Sequence, residues 1–339
     1  MIVHTMRDKT RVLVTGATGA VGPSIVEGLS AEGYQIRILS LDPPPQGLWP
    51  DCVEVHVGDV TNTYAVQAAM EGIESVIHLA ALLHIVNPPP SLCGMYERVN
   101  VGGTEAVVKA AVEAGVRRVV FFSTIAVYGN SGGRILTEDS PPHPETFYAQ
   151  TKLDAEKIVL GAKQSNGQSL GTVLRMGAIY GARIKGNYRK LLQALAKGRF
   201  IPLGDGTNRR TLVYEKDVAN AVNLTLSHPL AAGRIYNLSD GHFHTMKEII
   251  ETMCGALERP VPRFALPLSI VRFAAGILEN GAKILGLKSS IIRAMVDTYR
   301  EDIAVDSSRI RSHLGFVPQY NLDYGWRETI KHMRLMGDL

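Results

Sequence analysis

RVLVTGATGAVG, residues 11–22, is the stretch that decides the fold. Its first five residues are short, apolar and β-branched, which is typical of a strand buried on both faces. Gly16, Gly19 and Gly22 then permit a tight turn, a close approach of backbone to a diphosphate, and close packing of a following helix on the strand. We therefore predict a dinucleotide site here; the alternative is a tight strand-to-helix turn without a ligand.

Composition limits the classes of protein to consider. The chain has 339 residues, of which 45% are hydrophobic and 20% charged, enough for a sizeable core in one large or two fused domains. The net charge is +4 without a dense basic block, so we expect no nucleic-acid partner. Cys52, Cys93 and Cys254 are far apart and lack the spacing of metal ligands. This indicates a reducing compartment, no disulfide framework and no metal site.

The first nine residues are polar and contain no apolar core of a signal peptide. No stretch has the run of about 18 apolar residues that a membrane span needs. We expect a cytoplasmic protein.

Strands and helices alternate along the first half of the chain. Strand patterns at 35–39, 52–57, 75–79 and 119–122 are separated by helical patterns. One helical pattern has Thr61 as its cap and extends through Met70, and another begins at Glu97 and ends before Gly115. This alternation predicts an α/β fold with a Rossmann doubly wound parallel sheet, whose ligands lie beyond the carboxyl ends of the strands. We assign residues 1–175 to the dinucleotide-binding domain. Residues 176–339 are assigned to a smaller α/β substrate domain, with some chain crossing back to the first.

The residues expected beside the adenosine leave the choice of dinucleotide open. Ser40 stands where an NAD site usually ends its second strand with a carboxylate, and Asp42 follows two residues later. Asp42 either reaches the ribose or only begins the proline turn. Asp59 and Val60 are placed at the adenine edge. We predict NAD and leave NADP open, because no cation directly follows Ser40 to bind a 2′-phosphate.

Tyr148 and Lys152 are one helical turn apart, which places both side chains on one face of a helix. A neighbouring ammonium favours the phenolate of a tyrosine that otherwise titrates near pH 10. Thr124, at the end of a strand, supplies a hydroxyl that orients a substrate alcohol or carbonyl. These residues indicate proton transfer coupled to hydride transfer, and the alternative is a surface helix pair.

Six motifs in order resemble the extended short-chain dehydrogenase/reductase family of NAD-dependent epimerases and dehydratases. They are TGATGAVG (15–22), GDV (58–60), HLAA (78–81), NVGGT (100–104), STIAVYG (123–129) and YAQTK (148–152). The resemblance implies that Tyr148 is the acid/base, that Lys152 lowers its pKa, and that Thr124 positions substrate. The implied cofactor contacts are Gly16, Thr18, Gly19, Ala20, Val21, Gly22, Ser40, Asp42, Asp59, Val60, Leu79, Ala80, Ala81, Asn100, Ser123, Tyr148, Lys152 and Met176.

The second half of the chain is similar to the nucleotide-binding segment of sugar-nucleotide members. The similarity implies that Arg210 meets the diphosphate, which suits its planar cationic fork. The alternative for Arg210 is a solvated strand start. Asn187 and Ala178 are the further expected substrate contacts beside Thr124, although such members often have Asn where Ala178 stands. We expect a nucleotide-sugar substrate, UDP-linked.

Within this family, dehydratases have an Asp-Glu pair after the strand-end hydroxyl, where this chain has Ile125 and Ala126. Without these acids, water elimination has no proton donor. The choice therefore narrows to 4-epimerisation or reduction of a 4-keto-sugar. The segment from Arg183 to Arg210 resembles bacterial UDP-sugar 4-epimerases and 4-keto-reductases, and of the two we favour a UDP-sugar 4-epimerase acting through a 4-keto intermediate. The alternatives are a UDP-4-keto-sugar reductase, a hydroxysteroid-type dehydrogenase and a non-catalytic dinucleotide-binding scaffold.

Residues 266–287 form an apolar, amphipathic helical pattern. We expect it to cover the substrate domain; a membrane-surface contact is the alternative that we do not favour. By family resemblance we also expect a homodimer, formed by the helices that contain residues 100–114 and 148–160.

Overall fold

The strand, glycine turn and helix predicted at residues 11–22 are present in the computed structural model, which describes residues 10–83, 85, 89–267 and 301–339. The strands are β1 (Arg11–Thr15), β2 (Gln35–Ser40), β3 (Glu54–Val57), β4 (Ser75–His78), β5 (Arg118–Thr124), β6 (Gly171–Met176), β7 (Ala178–Tyr180), β8 (Arg209–Arg210), β9 (Leu212–Tyr214), β10 (Ile235–Leu238) and β11 (His244–Thr245).

Seven of these strands form one parallel sheet in the order β10-β6-β5-β4-β1-β2-β3. The chain order reverses between β1 and β4, and at such a reversal a doubly wound sheet opens a crevice for ligands. The predicted Rossmann sheet is thus confirmed. β10, from the second half of the chain, pairs with β6 at the outer edge. Outside the large sheet, β7 pairs with β9 and β8 with β11.

The helices cover both faces of the sheet. They are α1 (Gly22–Ala31), α2 (Thr63–Met70), α3 (Cys93–Tyr96), α4 (Gly103–Glu113), α5 (Phe147–Gly161), α6 (Gly186–Ala196), α7 (Glu215–Ser227), α8 (Met246–Leu257), α9 (Ser308–Leu314) and α10 (Leu322–Leu335). Val12 and Val14 of β1 pack with α1 and α7, whereas Leu13 packs with α2 and α4. This alternation explains why the strand is apolar at successive positions.

Local details differ from the sequence prediction at three points. Asn62, rather than Thr61, caps α2 by accepting from the amides of Tyr64 and Ala65 at 3.0 and 3.3 Å. The third strand begins at Glu54 instead of Cys52. The helix expected from Glu97 already begins at Cys93 with α3 and continues through a π-helical segment, Glu97–Gly102, into α4. Such segments are frequent at functional sites.

A second core lies outside the large sheet and joins β7, β9, α6, α8 and α10. Its centre is Trp326, which is fully buried and stacks on Tyr180 with ring centroids 4.6 Å apart. Helix α8 begins with a capping box, in which the Thr245 hydroxyl accepts from the amide of Glu248 and the Glu248 carboxylate accepts from the amide of Thr245. This core supports the segments that carry the expected substrate residues.

The apolar pattern predicted at 266–287 falls almost entirely within residues 268–300, outside the described residues. Within the described ranges, no helix combines the length and the apolar character needed to cross a membrane.

Candidate active site

The glycine turn after β1 is crowded by backbone. Gly16 has φ 72°, and a Cβ at this position would lie 2.6 Å from the amide nitrogen of Ala80. A Cβ on Gly22 would lie 1.9 Å from the carbonyl oxygen of Ala17. Both contacts are far shorter than van der Waals separation, so only glycine fits, and α1 packs directly onto the end of β1.

The amino terminus of α1 suits an anion. Helix α1 has no side chain capping its first turn and no acidic residue within that turn. Its first amides and positive dipole end therefore meet no negative side chain of their own helix. Thr18, Gly19, Ala20 and Val21 form the turn that leads to them. These residues fit the diphosphate of a dinucleotide.

Replacing Gly16 by alanine is expected to lower the free energy of unfolding by about 1–3 kcal/mol through the positive φ alone, with a further loss from the contact at Ala80. Gly33→Ala is the matched control, since Gly33 has φ 82° but no atom of the described residues lies within 4 Å of an added Cβ. Urea unfolding of the two variants compares the losses. Equal losses would show that the approach of Ala80 is not restrictive.

The ribose side of the crevice contains polar groups at the ends of β2 and β3. The hydroxyl of Ser40 is buried and donates to the carbonyl oxygen of Asp42 at 2.8 Å, while the carboxylate of Asp42 is exposed. Asp59 accepts from the amide of Thr61 at 2.8 Å. Of the two expected ribose contacts, Ser40 and Asp42, Asp42 therefore offers the more accessible hydrogen-bond acceptor.

A buried network joins β1, β4 and α4 beneath the crevice. Thr104 donates to the carbonyl oxygen of Asn100, so its hydroxyl accepts from Nε2 of His78 at 3.0 Å. The other ring nitrogen lies 2.7 Å from the hydroxyl of Thr15, which itself accepts from the amide of Ala80. Burial, reinforced by the charge of Lys152, lowers the pKa of His78 to about 3. His78 is thus a neutral structural residue.

Asn100 lies in the π-helical segment and is buried. Its side chain accepts from the amide of Leu82 at 2.8 Å and donates to the hydroxyl of Thr151 in α5 at 3.2 Å. The segment after β4, which contains Ala80 and Ala81, is thereby fastened to the helix that carries Tyr148 and Lys152. The side-chain amide of Asn100 therefore connects the expected cofactor contacts after β4 to the helix that carries the expected acid/base.

Thr124 ends β5 and is half-buried. Its hydroxyl accepts from the amide of Ala126 at 3.2 Å, which turns the chain away from the sheet. Beside it, the hydroxyl of Ser123 is buried and donates to Glu156 of α5. A cofactor contact by Ser123 would therefore use its backbone. Met176, also an expected contact, pairs with Thr124 in the sheet and is buried.

Helix α5 presents Tyr148 and Lys152 next to the strand ends. Thr146 caps this helix by accepting from the amide of Ala149 at 3.1 Å. Tyr148 keeps a partly exposed surface, and burial together with neighbouring Tyr96 raises its pKa. Lys152 is 3% exposed, and its burial lowers the pKa of the ammonium to about 7 against an opposing effect of Glu156. The helix thus holds a phenol and a perturbed amine on one face.

Glu156 and Arg175 form a buried ion pair that the sequence analysis did not predict. Two guanidinium nitrogens of Arg175 contact the carboxylate of Glu156 at 2.6–3.2 Å. The Arg175 guanidinium also lies 4.7 Å from the ring centroid of Tyr128. Since Glu156 also accepts from Ser123, this pair ties α5 to β5 and β6. The one signal in the sequence is that Glu156 follows Lys152 by a helical turn.

The expected substrate residues lie on elements outside the seven-stranded sheet. Ala178 begins β7 and is half-buried, and Asn187 is exposed in the first turn of α6. Arg210 in β8 is 9% exposed and forms an ion pair with Glu301 at 3.0 Å. A diphosphate at Arg210 would therefore share the guanidinium with Glu301.

Comparison with known proteins gives a consistent result. The model of the NAD-dependent epimerase/dehydratase family matches residues 12–239. The chain is 29% identical to an N-acetyl-α-D-glucosaminyl-diphospho-ditrans,octacis-undecaprenol 4-epimerase of Escherichia coli O157:H7, over 95% of this chain and 94% of the relative. It is 28% identical to a UDP-glucose 4-epimerase of Vibrio cholerae, over 94% of each chain.

The structure is similar to that of MoeE5 in complex with UDP-glucuronic acid and NAD. The TM-score is 0.75 at 26% identity, covering 96% of this chain and 99% of MoeE5.

Proposed function

Since the chain belongs to the NAD-dependent epimerase/dehydratase family, we propose that it is a nucleotide-sugar 4-epimerase that acts on a UDP-linked sugar. Membership of the family makes it an NAD-dependent oxidoreductase or isomerase and agrees with the dinucleotide predicted from the glycine turn. The observation that carries the proposal is that Tyr148 and buried Lys152 lie one turn apart on α5, which packs on β5, the strand that ends in Thr124.

NAD supplies, when bound, a nicotinamide that accepts a hydride and returns it. The glycine turn and the amino terminus of α1 would hold its diphosphate, and Asp42 the adenosine ribose. Tyr148 takes the proton of the sugar hydroxyl at C4 and later gives it back. Thr124 donates to or accepts from the same oxygen and so fixes its position.

Lys152 provides the positive charge that makes Tyr148 a base. Burial raises the pKa of the Tyr148 phenol, so an adjacent cation is needed to favour the phenolate near neutral pH. The ammonium of Lys152 is the cation on the same helix face. Because its pKa is about 7, its charge is present below this pH and lost above it.

Ile125 and Ala126 favour epimerisation over dehydration. Ile125 is buried, and the side chain of Ala126 is an unreactive methyl group. Neither side chain therefore supplies the acid that water elimination requires. The 4-epimerase relatives from Escherichia coli and Vibrio cholerae support the same choice. By their names, the relative from Escherichia coli acts on a lipid-linked sugar diphosphate and the relative from Vibrio cholerae on UDP-glucose.

The decisive experiment uses purified protein without added cofactor. Small molecules released by denaturation are identified by mass spectrometry, and UDP-glucose, UDP-N-acetylglucosamine and N-acetylglucosaminyl-diphospho-undecaprenol are each offered as substrate. We expect retained NAD and formation of a 4-epimer from a UDP-sugar, because an epimerase returns the same hydride.

Three other outcomes would overturn this assignment. Oxidation of added NADH or NADPH by a UDP-4-keto-sugar, without epimerisation, identifies a reductase. Reduction of NAD by a 3β-hydroxysteroid identifies the steroid-type dehydrogenase. If the protein converts only the lipid-linked sugar diphosphate, its substrate carries a polyprenyl lipid instead of a nucleotide.

Arg210→Ala is expected to raise KM for a UDP-sugar about 10- to 100-fold, the effect of losing a charge-assisted hydrogen bond to phosphate. Binding of NAD, measured by calorimetry, is expected to be unchanged. Arg210→Lys should recover only part of the loss, because a point charge replaces the bidentate fork. An unchanged KM in Arg210→Ala would contradict the role of Arg210 and favour a substrate without a diphosphate.

A further inference from the structure

The ammonium of Lys152 lies over an aromatic ring. Its Nζ is 4.1 Å from the ring centroid of Phe121, and both side chains are buried. Among the described residues, no carboxylate lies within ion-pair distance of this nitrogen. A desolvated ammonium at this distance is attracted to the negative face of the ring.

The other ionisable groups around Lys152 do not replace that contact. Glu156, one turn later on α5, is engaged by Arg175 of β6 and by Ser123 of β5. His78 of β4 packs against Phe121 with ring centroids 5.7 Å apart and is neutral. Tyr148 lies one turn earlier on α5, with Tyr96 of α3 beside it. Helix α4 contributes Val108, which is apolar, to the cluster around Phe121.

We propose that Phe121 is a positioning residue of the reaction, whose aromatic face holds the Lys152 ammonium in its charged form, one helical turn along α5 from Tyr148. The inference rests on the proposed function, in which Lys152 assists Tyr148. It extends that function by assigning the support of the cation to a ring on β5. Burial lowers the pKa of Lys152 to about 7, so a modest loss of support changes its charge near neutral pH.

Phe122 provides a matched control on the same strand. Its side chain is buried on the opposite face of the sheet, in the core with α1 and α7, whereas Phe121 packs with Ala155 and Val159 of α5. Phe121→Leu and Phe122→Leu therefore remove one buried ring each at similar cost in packing. Only the first removes the ring beneath the ammonium.

The test titrates the protein labelled with ¹³Cε-lysine by NMR, and Lys152→Arg assigns the resonance. We expect Phe121→Leu to lower the titration midpoint of Lys152 by on the order of 1 pH unit, and Phe122→Leu to leave it unchanged. Phe121→Tyr, which retains an aromatic face, should keep the midpoint of the unmodified protein, and Phe121→Met replaces the leucine variant if that variant fails to fold. An unchanged midpoint in folded Phe121→Leu would overturn the proposal.

The NMR titration needs no substrate, so it stands apart from the proposed function. In turnover assays, the pH at which kcat/KM falls on the alkaline side should decrease together with the titration midpoint of Lys152. If Lys152→Met retains full turnover, the proposed assistance of Tyr148 by Lys152 fails, and with it the role of Phe121 in the reaction, even where the midpoint moves. If Lys152→Met is inactive and the midpoint does not move, the role of Phe121 alone fails.

Discussion

Tyr148→Phe is expected to lower kcat for C4 epimerisation by about 10²-fold or more, the usual effect of removing a positioned proton-transfer group. The substitution deletes one hydroxyl and keeps the ring, which packs edge-on to Tyr96 with centroids 6.4 Å apart. The fold and the glycine turn should therefore be unaffected, and NAD should still bind.

Turnover is measured with saturating UDP-sugar, and NAD binding by calorimetry. Tyr64→Phe is the control, since Tyr64 is 84% exposed on α2 and should give normal kcat. Turnover of Tyr148→Phe close to that of the unmodified protein would remove Tyr148 from the mechanism.

Arg175→Met is expected to lower the free energy of unfolding by about 3–5 kcal/mol, because it leaves the carboxylate of Glu156 buried without its cation. The side chains of Glu156 and Arg175 are 2% and 4% exposed. Of the donors to this carboxylate that the structure describes, only Ser123 would remain. Urea unfolding gives the midpoint and slope from which the loss is calculated.

Arg117→Met is the matched control for this variant. Arg117 pairs with Glu74 at the surface, where the side chains are 64% and 41% exposed, so the expected loss is about 0–1 kcal/mol. Adding Glu156→Gln to Arg175→Met should recover part of the stability by removing the buried charge. Equal losses in Arg175→Met and Arg117→Met would contradict the view that Glu156 depends on its partner.

The sequence predicted the architecture because each unit of the sheet has a local pattern. Val12 to Val14 read as a buried strand, Gly16 as part of a turn and the residues that follow the glycines as a helix, and the structure confirms each. Boundaries decided by one or two side-chain hydrogen bonds were less predictable. Thr61 and Asn62 are both of a residue type that favours helix N-caps. Only the geometry of the chain shows that Asn62 accepts the hydrogen bonds from the helix amides.

The candidate site was predictable only where residues close in sequence cooperate. Tyr148 and Lys152 are joined by one helical turn, and Gly16 to Gly22 by one loop. The contacts of Glu156 with Arg175 and of Lys152 with Phe121 join separate elements, so no local spacing indicates them. Ser40 is an intermediate case, because its position at a strand end was predicted but its bond to the Asp42 carbonyl was not. The roles of these residues in catalysis and binding stay predictions.

The outermost strand of the large sheet, β10, has a consequence for how this chain can be divided. Residues 235–238 pair with β6 after the chain has passed through β7, α6 and β9, and α7 packs on α1 with Ala219 against Gly28. A fragment ending at residue 175 would lose both elements. It would present the unpaired backbone of β6 to other molecules, a template for intermolecular strand addition. The residues of the seven-stranded sheet and its covering helices are therefore close in space but come from two separate segments of the chain. A stable excised version requires both segments, the one up to β6 and the one that contains α7 and β10, joined by a new linker.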